Sequence, residues 1–96
     1  MNLDDVVPIE DFSNETLLAL AQRLETSRTF QQLIVREVEL DEVWRRVDTV
    51  LSRERDLGAD VEGLEHLHQL VFEAHDLAAD GRSHEAAQRL RAAMTG

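Results

Sequence analysis

The stretch that decides the fold is DVEGLEHLHQLVFEAHDLAADGRSHEAAQRLRAAM, residues 60–94. Its first half carries apolar residues at the three- and four-residue intervals that place them on one helix face. These residues are Leu64, Leu67, Leu70, Val71, Ala74, Leu77 and Ala78. Gly81 follows them and predicts a helix end, because glycine readily adopts the left-handed conformation found there. Ser83 then offers a side-chain acceptor for the free amides of a second helix, so the stretch predicts an antiparallel helical hairpin.

Two further helices are predicted upstream of this hairpin. Ser13 is the predicted N-cap of the first helix, which Glu15 in its first turn would favour electrostatically. Thr29-Phe-Gln-Gln32 has the spacing of a capping box and predicts that a second, longer helix begins at Phe30. One uninterrupted helix through residues 26–29 is the alternative. Gly58 is predicted to end the long helix.

The predicted fold is all-α. A small four-helix bundle is expected to form a single domain over residues 13–96, with the antiparallel hairpin at its C-terminal end. The expected helix bounds are 14–25, 30–55, 61–79 and 84–94. A short alternation of apolar and charged residues over 32–40 is too brief to favour a strand. Residues 1–12 are predicted to be an extended acidic arm, because Pro8 biases Val7 away from the helical conformation.

The N-terminal half of the long helix is apolar on more than one side. Ile34, Val35 and Val38 project roughly 60–180° away from the centre of its main apolar stripe. One intramolecular contact cannot cover all of these residues. Either the arm or the first helix covers the second side, or the three residues form a self-association or partner surface. Trp44 lies on the main stripe and is expected to belong to the core rather than to a binding surface.

The composition excludes several classes of protein. The 96 residues include no cysteine, which rules out disulfides and thiolate metal sites. Twenty acidic residues against ten basic ones give a net charge of −10 at pH 7, which repels nucleic-acid phosphates. Direct nucleic-acid binding is therefore not expected. The N-terminal residues lack the pattern of a secretion signal and no apolar run approaches the length of a membrane span, so the predicted location is cytoplasmic.

Histidine is the residue type that could indicate metal chemistry. His68 and His75 are seven residues apart, about 10.5 Å along a helix, which is too far for both to bind one ion within a single chain. Glu65-x-x-His68 is similar to the ligand pair of di-iron carboxylate bundles, which need a second such pair. A homodimer could supply that second pair. The alternative functional prediction is therefore a metal- or cofactor-binding helical bundle assembled across a dimer from Glu65, His68 and His75.

The sequence gives little support for an enzyme. It contains no glycine-rich phosphate loop and no tyrosine, and no nucleophile stands beside a recognisable base. Ser83 and His84 are adjacent in sequence, which is not how catalytic pairs are arranged. We therefore expect neither catalysis nor a cofactor.

The spacing from Leu70 onwards resembles a tetratricopeptide repeat. The matching positions are Leu70, Ala74, Leu77, Gly81, Ala86, Leu90 and Ala93. Glu73 departs from the apolar residue usual in that family, and the chain ends before the family's terminal proline. The resemblance covers one unit, and it implies a tight antiparallel hairpin and a protein-binding role.

The charge pattern leads to the main functional hypothesis. Six carboxylates and no arginine lie between Gly58 and Asp80, whereas residues 81–96 carry three arginines and one carboxylate. We expect a non-enzymatic accessory or regulatory protein, homodimeric through the long helix, that binds a protein partner with a basic surface. The expected contact residues are Glu65, Glu73, Asp76, Ile34, Val35 and Val38. A third hypothesis is that the acidic surface mimics nucleic acid towards a DNA-binding protein.

Overall fold

The computed structural model describes Ile9 and residues 11–94. Its four helices are α1 (Asn14–Thr26), α2 (Phe30–Asp56), α3 (Glu62–Ala79) and α4 (Ser83–Met94). No strand occurs among the described residues. The predicted all-α four-helix bundle with a C-terminal hairpin is therefore confirmed. Most of the predicted acidic arm, residues 1–8 and Glu10, lies outside the described part, whereas Ile9 is buried in the core.

Side-chain caps separate α1 from α2. The hydroxyl of Ser13 accepts a hydrogen bond from the backbone N–H of Thr16 at the start of α1. At the start of α2, the Thr29 hydroxyl accepts from the backbone of Gln32, whose side chain accepts from the backbone of Thr29, both at 3.1 Å. This is the predicted capping box. The alternative of one helix through residues 26–29 is wrong, because these local bonds stabilise a break.

Glycines in the left-handed region end α2 and α3. Gly81 has φ 82°, and the following backbone N–H, that of Arg82, donates to the carbonyl of Leu77 at 2.8 Å. Gly58, with φ 74°, ends α2 with the same pattern of bonds. The chain turns back after each glycine, which makes α2, α3 and α4 successive neighbours. Ser83 is the first residue of α4, so the prediction that it precedes the helix as a cap is corrected by one position.

The helices pack around one core. α3 contacts both α2 and α4, and α1 contacts α4 far more extensively than it contacts α2. Alanines at the α3–α4 crossing let the two backbones approach closely. The core residues are Ile9, Leu17, Leu20, Ala21, Leu24, Leu40, Val43, Val47, Val71, Ala74, Ala78, Ala86, Ala87 and Leu90.

The end of α2 and the start of α3 project beyond this core as a two-helix tip, residues 52–66. No residue of the tip is buried, whereas Leu51 and Leu70 on either side of it are. The described chain measures 43 × 24 × 22 Å, and α2 alone is about 40 Å long at 1.5 Å per residue. The molecule is therefore a four-helix bundle at one end and a helix pair at the other.

A buried charge cluster joins α1 to α2. The Glu39 side chain is fully buried, and its Oε1 accepts from Arg23 Nε and Nη2 of α1 at 3.3 and 3.2 Å. Arg36 Nε lies 3.1 Å from the same oxygen as an ion pair. Both arginines belong to the bundle end of the molecule. Charge pairing offsets the cost of burying this carboxylate, and it fixes α1 against α2 where their apolar contact is small.

Two surface carboxylates hold helix ends in place. Asp11 accepts hydrogen bonds from the Thr16 hydroxyl and from the backbone and hydroxyl of Ser13, and these bonds lower the pKa of Asp11. Glu25 of α1 binds Arg91 of α4 through two hydrogen bonds. The bond from Arg91 lowers the pKa of Glu25, and the same contact raises the pKa of Arg91. Both carboxylates are therefore stabilised in their charged forms by folding.

Candidate protein-binding groove between α2 and α3

The three apolar residues predicted to form a contact surface lie in different environments. Val35 is buried, Ile34 is half-buried and Val38 is 44% exposed. Val35 lies one turn before Glu39, which binds Arg23 of α1, so this side of α2 faces the first helix. Ile34 lines a hollow beside α3, whereas Val38 is exposed on the outer side of α2, away from the buried Leu40 and Val43.

The first of two hollows between α2 and α3 lies beside Ile34. It has a volume of about 260 Å³. α2 contributes Phe30, Leu33, Ile34 and Glu37, and the end of α3 with its turn contributes residues 78–81. Ala78 and Ala79 have short side chains, which leave space between the helices. Together with Phe30, Leu33 and Ile34 they make most of the lining apolar. Two carboxylates, those of Glu37 and Asp80, complete the lining.

The second hollow lies further along the same pair of helices. It has a volume of about 150 Å³ and is lined by Asp41, Trp44, Phe72 and His75. Trp44 packs against the core and also lines this hollow, so it contributes to both the interior and the surface. Its ring lies 4.8 Å from the ring of His68, centroid to centroid, at a tilt of 37°. Val38 is situated on α2 between the two hollows.

Large apolar side chains are concentrated on this face. Five are exposed among the described residues, and three of them, Phe30 (78%), Phe72 (48%) and Val38 (44%), border the two hollows or lie between them. The other two, Leu18 and Leu57, lie on α1 and at the tip. We call the two hollows with Val38 the α2–α3 groove. Its exposed side chains form an apolar patch of the kind that often marks an interaction site.

Phe30 and Phe72 are exposed residues of the groove that were not predicted from the sequence. Phe72 lies off the apolar stripe of α3, which is a signal that was present in the periodicity. Phe30 is the first residue of α2, where a helix side chain has no preceding turn to pack on. Phe30 is one helical turn before Ile34, which the spacing alone shows, but the approach of Phe72 to Asp41 depends on how α2 and α3 pack.

The α2–α3 groove is acidic. Glu37, Asp41 and Asp80 line it, and no arginine is among the described residues that line either hollow. Asp41 also pairs with Arg45 at 2.9 Å on the outer surface of α2. The opposite side of α2 differs, because a shallow groove there has Arg45, Arg46 and Arg53 in its lining along with Asp11 and Glu42. That side therefore mixes arginines with carboxylates, whereas the described lining of the α2–α3 groove contains carboxylates and no arginine.

The predicted acidic residues of α3 are partly neutralised within the chain. Glu65 lies 3.8 Å from Arg55, and Glu73 lies 3.2 Å from Arg89 of α4. Asp76 is exposed, and no ion pair to it is found within the described residues. Of these three carboxylates, Asp76 is the one whose full charge faces solvent.

The residues of the predicted metal site do not come together within one chain. Glu65 pairs with Arg55, and His68 Nε2 lies 3.2 Å from Asp48. His75 lines the second hollow. No group of three histidine, aspartate or glutamate side chains in Ile9 and residues 11–94 is placed to hold a metal ion. The site across a homodimer stays a prediction.

No family model, curated protein or solved structure matches this chain. The α3–α4 hairpin has the tight turn that the tetratricopeptide resemblance implies, with Ala74, Ala86 and Leu90 fully buried at its crossing. In the part of the chain that the structure describes, no helix has the length and apolar character needed to cross a membrane.

Proposed function

We propose that this chain is a non-enzymatic accessory or regulatory protein that binds a basic partner protein through the α2–α3 groove. The observation that carries the proposal is the combination of exposed apolar side chains with carboxylates in one place. Phe30, Val38 and Phe72 offer apolar area, and Glu37 and Asp80 lie beside it. Carboxylates steer a cationic partner towards the surface, and desolvated apolar side chains hold it there.

The chemistry of the groove favours docking over catalysis. Its lining consists of apolar side chains, carboxylates and one histidine. Such a set can recognise apolar and cationic groups without forming a covalent bond. The acidic outer face of α3 adds negative charge beside the groove, and Asp76 is the exposed carboxylate there that has no ion pair among the described residues. This supports a role in binding, in which the chain acts by occupying or positioning its partner.

Self-association through α2 is the competing use of the same side chains. Ile34 and Val38 would then meet their own copies across a two-fold axis. Glu37 and Asp41, which lie within one turn of Val38 on α2, would be brought towards their own copies as well. Like charges at an interface oppose association, so we favour the basic partner for this groove. The predicted homodimer would therefore have to form through another surface of α2, or with cations that neutralise these carboxylates.

Comparison of matched variants in the chain's own cell extract tests the proposal. The bait proteins are the unchanged chain, Val38→Glu, and Leu57→Glu as a control at the tip, where Leu57 is 73% exposed. We expect a basic protein to be retained by the unchanged chain and by the control, and to be lost with Val38→Glu. Native mass measurement of the untagged complex gives its stoichiometry and any bound metal. Equal retention by the two variants would overturn the assignment of the groove.

The charge contribution has its own test. Reversing Asp76 with Asp76→Lys should slow association with the retained partner and reduce its dependence on salt. Glu65 and Glu73 are less suitable, since each is paired with an arginine and its loss disturbs the chain itself. Unchanged association kinetics in Asp76→Lys would remove the outer face of α3 from the binding surface.

A further inference from the structure

We infer that the occupant of the α2–α3 groove is one amphipathic helix with a cationic flank, supplied by another protein. The inference rests on the proposed function and specifies the partner's chemistry. It depends on the shape of the groove, on the spacing of its two hollows and on the sign of the charge around them.

The shape of the groove suits a helix. α2 and α3 are successive helices joined by a short loop and in extensive contact, and both hollows lie between them. A helix laid along this groove can insert side chains from one face between those of the pair, as helices do in bundles. No strand is present in Ile9 and residues 11–94, so the described chain has no sheet edge to which an extended peptide could add.

The distance between the two hollows matches the distance between apolar side chains on one face of a helix. Along α3 their lining groups, residues 72–75 and 78–81, have midpoints six residues apart, about 9 Å at 1.5 Å per residue. Along α2 the groups 30–37 and 41–44 have midpoints nine residues apart, about 13 Å. Side chains at i and i+7 of a helix are about 10.5 Å apart, which lies between these values. One anchor would enter each hollow, and a side chain between them, at i+3 or i+4, would lie at the rim of the groove beside Val38.

The charge of the groove determines the polar side of that helix. Glu37 and Asp80 border the first hollow, and Asp41, paired with Arg45, borders the second, so the negative charge is concentrated at the first hollow. Lysine or arginine flanking the apolar anchors would lie opposite these carboxylates. A second copy of this chain has a net charge of −10 at pH 7, so the carboxylates of the groove would repel it. Charge complementarity therefore favours a cationic helix from another protein.

The protein carries its own reporter for the experiment. Trp44 is the single tryptophan of the chain and lines the second hollow. The probe is a tryptophan-free synthetic peptide of about sixteen residues, roughly four helical turns. It has leucine at i, i+4 and i+7 with lysines on both sides of that stripe, and its control has glutamates in place of the lysines. Saturable change in Trp44 emission measures occupancy of the groove.

We expect the lysine peptide to bind, and to bind more weakly as salt is added, whereas the glutamate peptide should not bind. Val38→Glu and Phe72→Glu should each weaken binding by about tenfold or more, because each places a charge on the apolar contact. Leu57→Glu should bind like the unchanged chain. The double variant Glu37→Gln with Asp80→Asn should lose several-fold in affinity and most of the salt dependence, and Asp56→Asn with Glu62→Gln, at the tip, should lose neither.

Four results would overturn the inference. These are equal binding of both peptides, no change in Trp44 emission up to roughly 1 mM peptide, the same affinity for Val38→Glu and Leu57→Glu, or emission that changes with protein concentration alone. The last result would identify a second copy as the occupant. If Val38→Glu abolishes retention of the cellular partner but the lysine peptide does not bind, the helix inference fails and the proposed function stands. If partner retention is unaffected, the proposed function fails.

Discussion

Neutralising Glu39 should destabilise the fold strongly, although this residue takes no part in the proposed binding. Glu39→Gln keeps the shape of the side chain and leaves two guanidinium groups facing a buried amide. Removing one partner of a buried ion pair costs about 3–5 kcal/mol. Arg23 retains 24% exposure of its side chain and Arg36 12%, so both can turn partly to water. We therefore expect a loss near 3 kcal/mol, the lower end of that range.

A loss of about 3 kcal/mol corresponds to a decrease in Tm of roughly 12–24 °C for a domain of this size. Urea denaturation followed by circular dichroism measures the free energy of unfolding directly. Glu42→Gln is the matched control on the same helix, because Glu42 pairs with Arg46 at 3.4 Å on the surface, with 44% and 42% of the two side chains exposed. That change should cost less than about 1 kcal/mol.

Equal losses of stability in Glu39→Gln and Glu42→Gln would show that the buried cluster contributes no more than a surface ion pair. A second variant separates charge from shape. Replacing Glu39, Arg23 and Arg36 together by methionine removes the whole cluster and fills its space with apolar atoms. Such replacements are often neutral or stabilising, so the triple variant should be more stable than Glu39→Gln. A triple variant that unfolds as readily as Glu39→Gln would mean that the cluster is needed for a reason other than charge balance.

Two further predictions concern the helix ends. Gly81→Ala should lower the free energy of unfolding by about 1–2 kcal/mol, because alanine is strained at φ 82°. Gly63→Ala within α3 should raise the free energy of unfolding by roughly 0.5–1 kcal/mol. Equal effects of the two changes in thermal melts would contradict this prediction. Arg91→Gln should lower the Tm at neutral pH. Folding lowers the pKa of its partner Glu25 below the ordinary glutamate value of 4.5. The ion pair therefore stabilises the folded protein at pH values above 4.5, and this contribution is lost as the pH falls through the pKa of Glu25 in the folded state. The Tm difference from the unchanged chain should therefore disappear in acid, and a constant difference would show that the effect is not ionic.

Local signals in the sequence predicted the helices and their ends well. Ser13, Thr29 and Gln32 act through bonds to amides within three residues, so their effect can be read without knowing the tertiary structure. Gly58 and Gly81 act through their own backbone conformation. These features require no information about distant contacts, which is why the four-helix fold was accessible from the residues alone.

The tertiary contacts were less accessible. Val35 was expected on a contact surface and is buried, because α1 lies on that side of α2 and supplies Arg23 to Glu39 one turn away. Glu39 itself had no signal in the periodicity, since a carboxylate is normally assigned to a solvated face. The acidic residues of α3 were recognised as a group. Their partial pairing with arginines of α2 and α4 depends on how the helices pack against each other, which the spacing of residues in the sequence does not determine.

The two-helix tip has a consequence for how the chain can be altered. Since residues 52–66 contribute no buried side chain, we expect the bundle end to melt as the cooperative unit and the tip to open at a lower free energy. The turn at Gly58 is thus the natural point for inserting a label, a cleavage sequence or a fused domain. An insertion at this turn would leave the α2–α3 groove accessible and the packing of the core unchanged.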